Sequence, residues 1–301
     1  MVATVVYSVI TVEAAGQRID NYLFAQCKGV PRPRIYRALR TGEVRINRKR
    51  AKPITKLKLN DVVRIPPLQS LCHNTLPKPT STLIALLKES MLLHSDAIIV
   101  VNKPPGIPVH SGTAQCQGII DIMRHVVTGP IYLTHRLDKP VSGCLVFASS
   151  RQRLAGLQAA WRTDAVSKVY HACVFGEPCM VPSLISTPLL DADGNAQPAT
   201  SYVKLLASRG NVLYLSVRIE TGRKHQIRRH LAWVGLPIIG DSRYGDFARN
   251  RIFPGVTRGQ ILLHAYQIFI RLPSINEIVC VAPYPQYFSR VLSYVYQHND
   301  G

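Results

Sequence analysis

The chain has 301 residues, with 37 Lys and Arg against 17 Asp and Glu and an apolar content of 47%. That length holds one large domain and a smaller companion, and the apolar fraction excludes a disordered chain. The net charge of +20 calls for a polyanionic partner, and with no run of 18 apolar residues to cross a bilayer the expected partner is nucleic acid rather than membrane.

The opening residues MVATVVYSVI lack the basic start and cleavage signature of a leader and read as a first strand. In GQRIDNYLFAQCKG, Ile19, Leu23 and Cys27 recur at four-residue spacing, which predicts a short helix ending near Gly29. Pro31 and Pro33 suit the start of a second helix, PRPRIYRALRTG, that stops at Gly42. On it Ile35, Ala38 and Leu39 share one face, and Arg34, Arg37 and Arg40 share the other. EVRINRKR and NDVVRIPP then alternate as paired strands. Residues 1–70 carry 14 basic and 4 acidic side chains, half of the whole excess. Arg34, Arg37 and Arg40, with Arg48, Lys49 and Arg50 beside them, predict one basic face that grips phosphates without reading bases. The plain alternative is a solvated helix face, which the adjacent basic cluster disfavours.

The prolines and small polar residues of PPLQSLCHNTLPKPTST read as a linker. The expected plan is a small domain over 1–68, a linker over 69–90 and a larger domain over 91–301. In the last, AIIVVNKPPG, GCLVFAS, KVYHACVFG and NVLYLSVRIE are strand-like, which predicts a mixed sheet with helices packed beside it. Seven cysteines without a CxxC pair argue against a disulfide framework and a structural zinc site, and a reducing, cytoplasmic setting is expected.

Two stretches carry chemistry. The first is HRLDKPVSG, with Asp138 between strand-like runs and ahead of an expected Ser142-Gly143 turn. Asp138 is either a turn residue or a working carboxylate. A metal pair with His135 has no further ligands at suitable spacing, and the His-x-Glu and Pro-Cys-x-x-Cys signatures of nucleobase deaminases are absent. The second is IETGRKHQIRRHLAWVGLPIIGD, read as a strand end, a turn, a helix stopped by Gly235 and a new strand after Pro237. At 100° per residue Ile227, Leu231 and Val234 form one stripe, with Arg228 at its edge and Arg229 nearly opposite. Arg228 therefore points inward and needs an acidic partner, for which Asp138 is the leading candidate. His135 and His264 read as structural hydrogen-bonding groups, Lys103 as either a phosphate contact or a strand-end lysine, and Asp241 and Tyr244 as turn residues.

These motifs in order, VNKPPGIPVHSG, HRLDKPVSG, KVYHACVFG, TGRKHQIRRHLAWVGLPIIGDSRYGD and LLHAYQIFI, resemble the RluA family of pseudouridine synthases, and within it the RluC-type enzymes of large-subunit ribosomal RNA. The first 68 residues are similar to the small RNA-binding domain found in a small-subunit ribosomal protein, in tyrosyl-tRNA synthetases and in RNA-modifying enzymes. The matching residues are Arg18-Ile19-Asp20, Leu23, Gly42-Glu43-Val44, Ile46-Asn47 and Asp61-Val62-Val63, with Arg48 and Asn60 standing where turn glycines are usual. The resemblance implies an α+β pseudouridine synthase fold, with a mixed, largely antiparallel sheet, flanking helices and a central cleft, and Asp138 as the catalytic aspartate. It further implies Arg136 entering the RNA stack, Tyr170 stacking on the flipped base and available to assist proton removal, Arg228 pairing with Asp138, and Leu263 as an apolar wall. Val141 departs from the family's usual Thr. It implies no metal and no cofactor, a monomer, and ribosomal RNA as partner. Transfer RNA as substrate, or a non-catalytic RNA-binding assembly factor, are the alternatives.

Overall fold

A computed structural model of the chain describes residues 4–12, 14–27, 29–68, 78–111, 117–272 and 275–297. Cys72, Cys116 and the first part of the expected linker, 69–77, lie outside the described residues. The chain divides into two compact units, Met1–Lys78 and Pro79–Gly301.

In the first unit β1 (Val6–Val9) precedes α1 (Ile19–Gln26) and α2 (Arg32–Thr41), followed by β2 (Arg45–Ile46), β3 (Lys49–Arg50) and β4 (Val62–Ile65). The sheet order is β1-β4-β2-β3. Ile19 and Leu23 of α1, and Ile35, Ala38 and Leu39 of α2, are buried together against Val63 and Ile65. Each Leu, Ile and Val among them contributes roughly 1.5–3 kcal/mol by leaving water. Pro33 sits in the first turn of α2, and Gly42 ends it in the left-handed region at φ 77°, as the sequence predicts. The β2–β3 turn holds Asn47 at φ 47° and Arg48 at φ 67°, and Asn60 has φ 65°. Both positions where glycine is usual therefore keep the backbone that glycine favours.

The second unit begins with α3 (Ser81–Glu89), capped by the Thr80 hydroxyl accepting from the Leu83 amide. This corrects the expected 69–90 linker: Leu83, Ile84 and Leu87 form a helical stripe, with Leu87 fully buried in the main core. Then follow β5 (Met91–His94), β6 (Ile98–Lys103), α4 (Ile119–Val126), β7 (Tyr132–Leu133), β8 (Ser142–Ala148), α5 (Arg151–Ala160), β9 (Val166–Phe175), β10 (Leu184–Ile185), β11 (Leu189–Leu190) and β12 (Ala196–Gln197). β13 (Ser201–Arg209), β14 (Val212–Ile219), α6 (Gln226–Trp233), α7 (Phe247–Ile252), β15 (Leu263–Leu272), β16 (Ile275–Val281) and α8 (Gln286–Tyr296) complete it. The central sheet runs β10-β13-β14-β9-β15-β8-β6-β5, with β16 on β15 and β7 on β8. Strands β6 and β8 are apolar without alternation because both of their faces are covered. The fold is a mixed α+β architecture with a mostly antiparallel sheet.

Among the described strands the one parallel pairing joins β8 to β15, with His264 opposite Ser142 and Ala265 opposite Gly143. Ser142-Gly143 is thus the start of a strand, not a turn. The turn lies just before it, where the Val141 amide donates to the Asp138 carbonyl at 3.1 Å. Gly143, at φ 110°, is needed for close approach: a Cβ there would lie 2.2 Å from the Ala265 carbonyl oxygen. The expected strand after Pro237 is also corrected. Ile238 makes a single bridge to Val174, and Gly240 then takes the chain into a loop at φ 80°.

Candidate active site

The Asp138 turn, the middle of β9, the end of β14, the loop into α6 and the start of β15 converge on one cleft. It is lined by Arg136, Asp138, Tyr170, His225, Arg228 and Leu263, among others, and has a free volume of about 90 Å3. Drug-sized pockets run to roughly 300–1,000 Å3, so this one suits a single ring rather than a strand. All five residues assigned to substrate and catalysis from the sequence meet here.

Pro140 and the turn hydrogen bond hold Asp138 at the cleft floor, with its side chain 28% exposed. Arg228 projects from α6 on the side of Ile227 and Leu231, as the helical spacing predicts, and its side chain is only 6% exposed. Its Nη1 donates to Asp138 Oδ2 at 2.8 Å. Its Nε and Nη2 donate to Asp241 Oδ2 and Oδ1 at 2.7 and 2.8 Å. Burial works against the Arg228 charge, but the two carboxylates outweigh it and its pKa is raised. Asp241 shows the mirror image: burial raises its pKa, the bonds from Arg228 and from the Tyr244 and Arg243 amides lower it more, and the net shift is down. Arg228 and Asp241 therefore hold each other in their charged forms.

His225 enters α6 in the left-handed region at φ 55°. This sets its Nε2 3.6 Å from Asp138 Oδ1, while Nδ1 is hydrogen-bonded to the Tyr244 hydroxyl at 3.1 Å. Burial lowers its pKa, Asp138 pulls the other way, and the nearby Arg228, Arg243 and Lys224 add to the lowering. The Gln226 amide braces the loop, accepting from the Thr221 hydroxyl and donating to the Thr200 carbonyl. Tyr170 is buried on β9, and both burial and the Asp138 charge raise its pKa, so the phenol stays protonated at neutral pH. Arg136 is exposed at the mouth.

Behind the turn, Lys103 is fully buried. Its Nζ donates to the carbonyls of Pro104, Lys139 and Val141 at 2.8, 3.2 and 2.8 Å. Of the two roles left open for it, the phosphate contact is excluded, and it ties down the segment carrying Asp138. His264 is likewise structural: Nδ1 meets the Ser142 hydroxyl and Nε2 the Ala282 carbonyl. Sequence reasoning missed the bond between Asp241 and Arg228, although it placed Asp241 correctly in a turn. The available signal was an inward arginine with a second carboxylate thirteen residues on. His225 had no such signal, because its role depends on a backbone angle. Among the described residues no cluster of three His, Cys, Asp or Glu side chains could hold a metal, and no helix is long and apolar enough to cross a membrane.

In the first unit the single basic face expected becomes two. Arg37, Arg40 and Arg50 line a groove beside α2, while Arg48 lines a hollow on the sheet with Tyr7, Arg45 and Arg64. Lys49 is exposed on β3. Arg34 is ion-paired: its Nη2 and Nη1 donate to Glu43 at 2.7 and 3.2 Å.

Comparison with known proteins agrees with this geometry. The family described as RNA pseudouridylate synthase matches residues 97–233, and the S4 domain matches residues 17–63. The chain is 35% identical over 299 residues to ribosomal large subunit pseudouridine synthase C of Buchnera aphidicola subsp. Schizaphis graminum, covering 94% of this chain and 95% of that protein. It is 34% identical over 306 residues to the protein of the same name in Haemophilus ducreyi, covering 97% and 96%. The solved structure of human RNA pseudouridylate synthase domain containing 4 superposes with a TM-score of 0.60 at 26% identity, over 71% of this chain and 95% of that one. A catalytic cleft of this make-up, on this sheet and at this level of identity over nearly the full length, establishes that the chain belongs to the RluA family of pseudouridine synthases and is of the RluC type.

Proposed function

We propose that this enzyme converts specific uridines of large-subunit (23S) ribosomal RNA to pseudouridine, with Asp138 as the reacting carboxylate. The observation that carries the assignment is the half-open Asp138 side chain, held at 2.8 Å by a buried arginine beside Tyr170 and Leu263 in a cleft sized for one ring. The ribosomal substrate is supported by the two near-full-length relatives, both named as large-subunit enzymes. The same reading puts the enzyme in ribosomal RNA processing, in the cytoplasm.

In the reaction the bond from C1′ to N1 breaks and a bond from C1′ to C5 forms. The C5 proton leaves and N1 gains one. Ionised Asp138 either attacks C1′ or removes a proton, and both routes require the anion that Arg228 stabilises. Extruding the uridine costs a few kcal/mol. Stacking on Tyr170 returns about 1–3 kcal/mol, Leu263 walls the base, and Arg136 fills the vacated space in the RNA. Tyr170, kept protonated, acts as a platform rather than as a base.

The test uses Asp138→Asn and RNA carrying tritium at C5 of uridine. Release of tritium from 23S RNA should disappear while RNA binding stays within about twofold, and transfer RNA should release none with the parent enzyme. Release at the parent rate in Asp138→Asn would overturn the assignment.

A further inference from the structure

The first unit's sheet has an inner and an outer face. Val63 and Ile65 turn inward to the helices, so alternation puts Val62 and Arg64 outward. The register then lines up one row across three strands: Tyr7 opposite Arg64, and Arg64 opposite Arg45. Val9, opposite Val62, shares that face. Tyr7 is 65% exposed and Val9 59%. The row, with Asn47 and Arg48 of the adjoining turn, lines a hollow of about 660 Å3.

Like charges directly opposite one another on a sheet are destabilising, and this lining holds no carboxylate. Two carboxylates beside these strands are already engaged: Asp61 accepts from Asn47 and from the Lys58 amide, and Glu43 from Arg34 and Thr41. What holds the arginines internally is the backbone just past α2: Arg45 Nε donates to the Gly42 carbonyl at 3.1 Å, and Arg64 Nη1 to the Glu43 carbonyl at 2.6 Å. These bonds fix the guanidinium planes and leave further N–H donors unused. A held fan of arginines around an open aromatic ring suits alternating phosphates and bases. A second copy of the same face would set arginine on arginine.

We propose that this outer sheet face is a second RNA-binding surface, distinct from the groove beside α2, and that it takes a single-stranded segment by stacking one base on Tyr7 while Arg45, Arg48 and Arg64 hold the phosphates. The two surfaces let the small unit grip two RNA segments at once. The proposal does not depend on the chemistry at Asp138.

The full-length enzyme and a twelve-nucleotide oligoadenylate, which offers no uridine to the cleft, provide the test, with affinity read by fluorescence anisotropy over a salt series. Tyr7→Ala should weaken binding about tenfold with an unchanged salt slope, and Tyr7→Phe should bind like the parent. Arg48→Gln should lower the slope of log affinity against log salt by about 0.7, one phosphate contact on a single strand. Parent-like affinity and slope in both Tyr7→Ala and Arg48→Gln would overturn the proposal. So would a dimer in sedimentation that Tyr7→Ala dissolves, which would assign the face to a second copy of the chain.

Discussion

Asp241 takes two of the three hydrogen bonds that Arg228 donates, and leaves Asp138 one. The buried carboxylate balances the guanidinium, and the half-exposed one is then free to react without the arginine moving. Asp241→Asn should therefore lower activity at least tenfold without touching substrate. It should also cost about 3 kcal/mol of stability, because a buried arginine loses half of its compensation.

The same pair sets an acid limit. The folded-state pKa of Asp241 is depressed, so its contribution is fully present above the unfolded carboxylate value near 3.9 and is lost as pH falls through the lower folded value. The stability gap between the parent and Asp241→Asn should stay level from about pH 8 to pH 5 and close below about pH 4. Urea titrations of both proteins across that range measure it.

Lys103 makes a different case. Burial pushes its pKa down to about 7, against a smaller pull from Asp138. Replacing it with Met removes the cost of a buried charge but leaves three carbonyls without a donor, at ~1–3 kcal/mol each. The two effects nearly cancel, so Lys103→Met should melt within a few degrees of the parent at pH 7. Its tritium release should nonetheless fall tenfold or more, since Lys139 and Val141 lose the anchor that places Asp138. A folded pKa below the unfolded one means that this lysine costs stability at and below pH 7, and that the cost fades as pH rises toward 10. The parent should gain on Lys103→Met by a few kcal/mol over that interval.

What could be seen in the sequence follows from the range of the interactions involved. Arg228 was legible because helical periodicity assigns a direction to each side chain, and Asp138 because a lone carboxylate in a basic chain needs a partner. Asp241 as the main partner of Arg228 was not, since a loop carries no period. The burial of Lys103 was hidden because its three acceptors are backbone carbonyls, two of them more than thirty residues away. Helix α3 was masked by the prolines before it. Gly143 was read as a turn because glycine in sequence looks alike whether it bends the chain or admits a neighbouring strand.

That last distinction is testable. Gly143→Ala would put a methyl 2.2 Å from the Ala265 carbonyl and 2.6 Å from its amide nitrogen, at a backbone angle that L residues avoid. Neither backbone atom can swing aside, so the parallel joint between β8 and β15 must open. The expected cost is ~3 kcal/mol or more, read as loss of soluble enzyme or a melting temperature lower by several degrees. A true turn glycine with open space around it, such as Gly210 at φ 55°, should tolerate Ala at about 1 kcal/mol.

Arg48 reverses the logic, because there the residue present is the strained one. It sits second in a two-residue hairpin turn with positive φ at both positions, the arrangement for which Asn-Gly is preferred. Left-handed backbone costs a side chain about 1–2 kcal/mol, part of which glycine gives back through its freer unfolded chain. Arg48→Gly should therefore stabilise the first unit by roughly 0.5–1 kcal/mol, seen as slower amide exchange across residues 45–50. The same change removes one guanidinium from the basic hollow, so the gain in stability should come with weaker RNA binding and a shallower salt dependence. A strained arginine kept at that cost is what a turn selected for phosphate contact, rather than for folding, would hold.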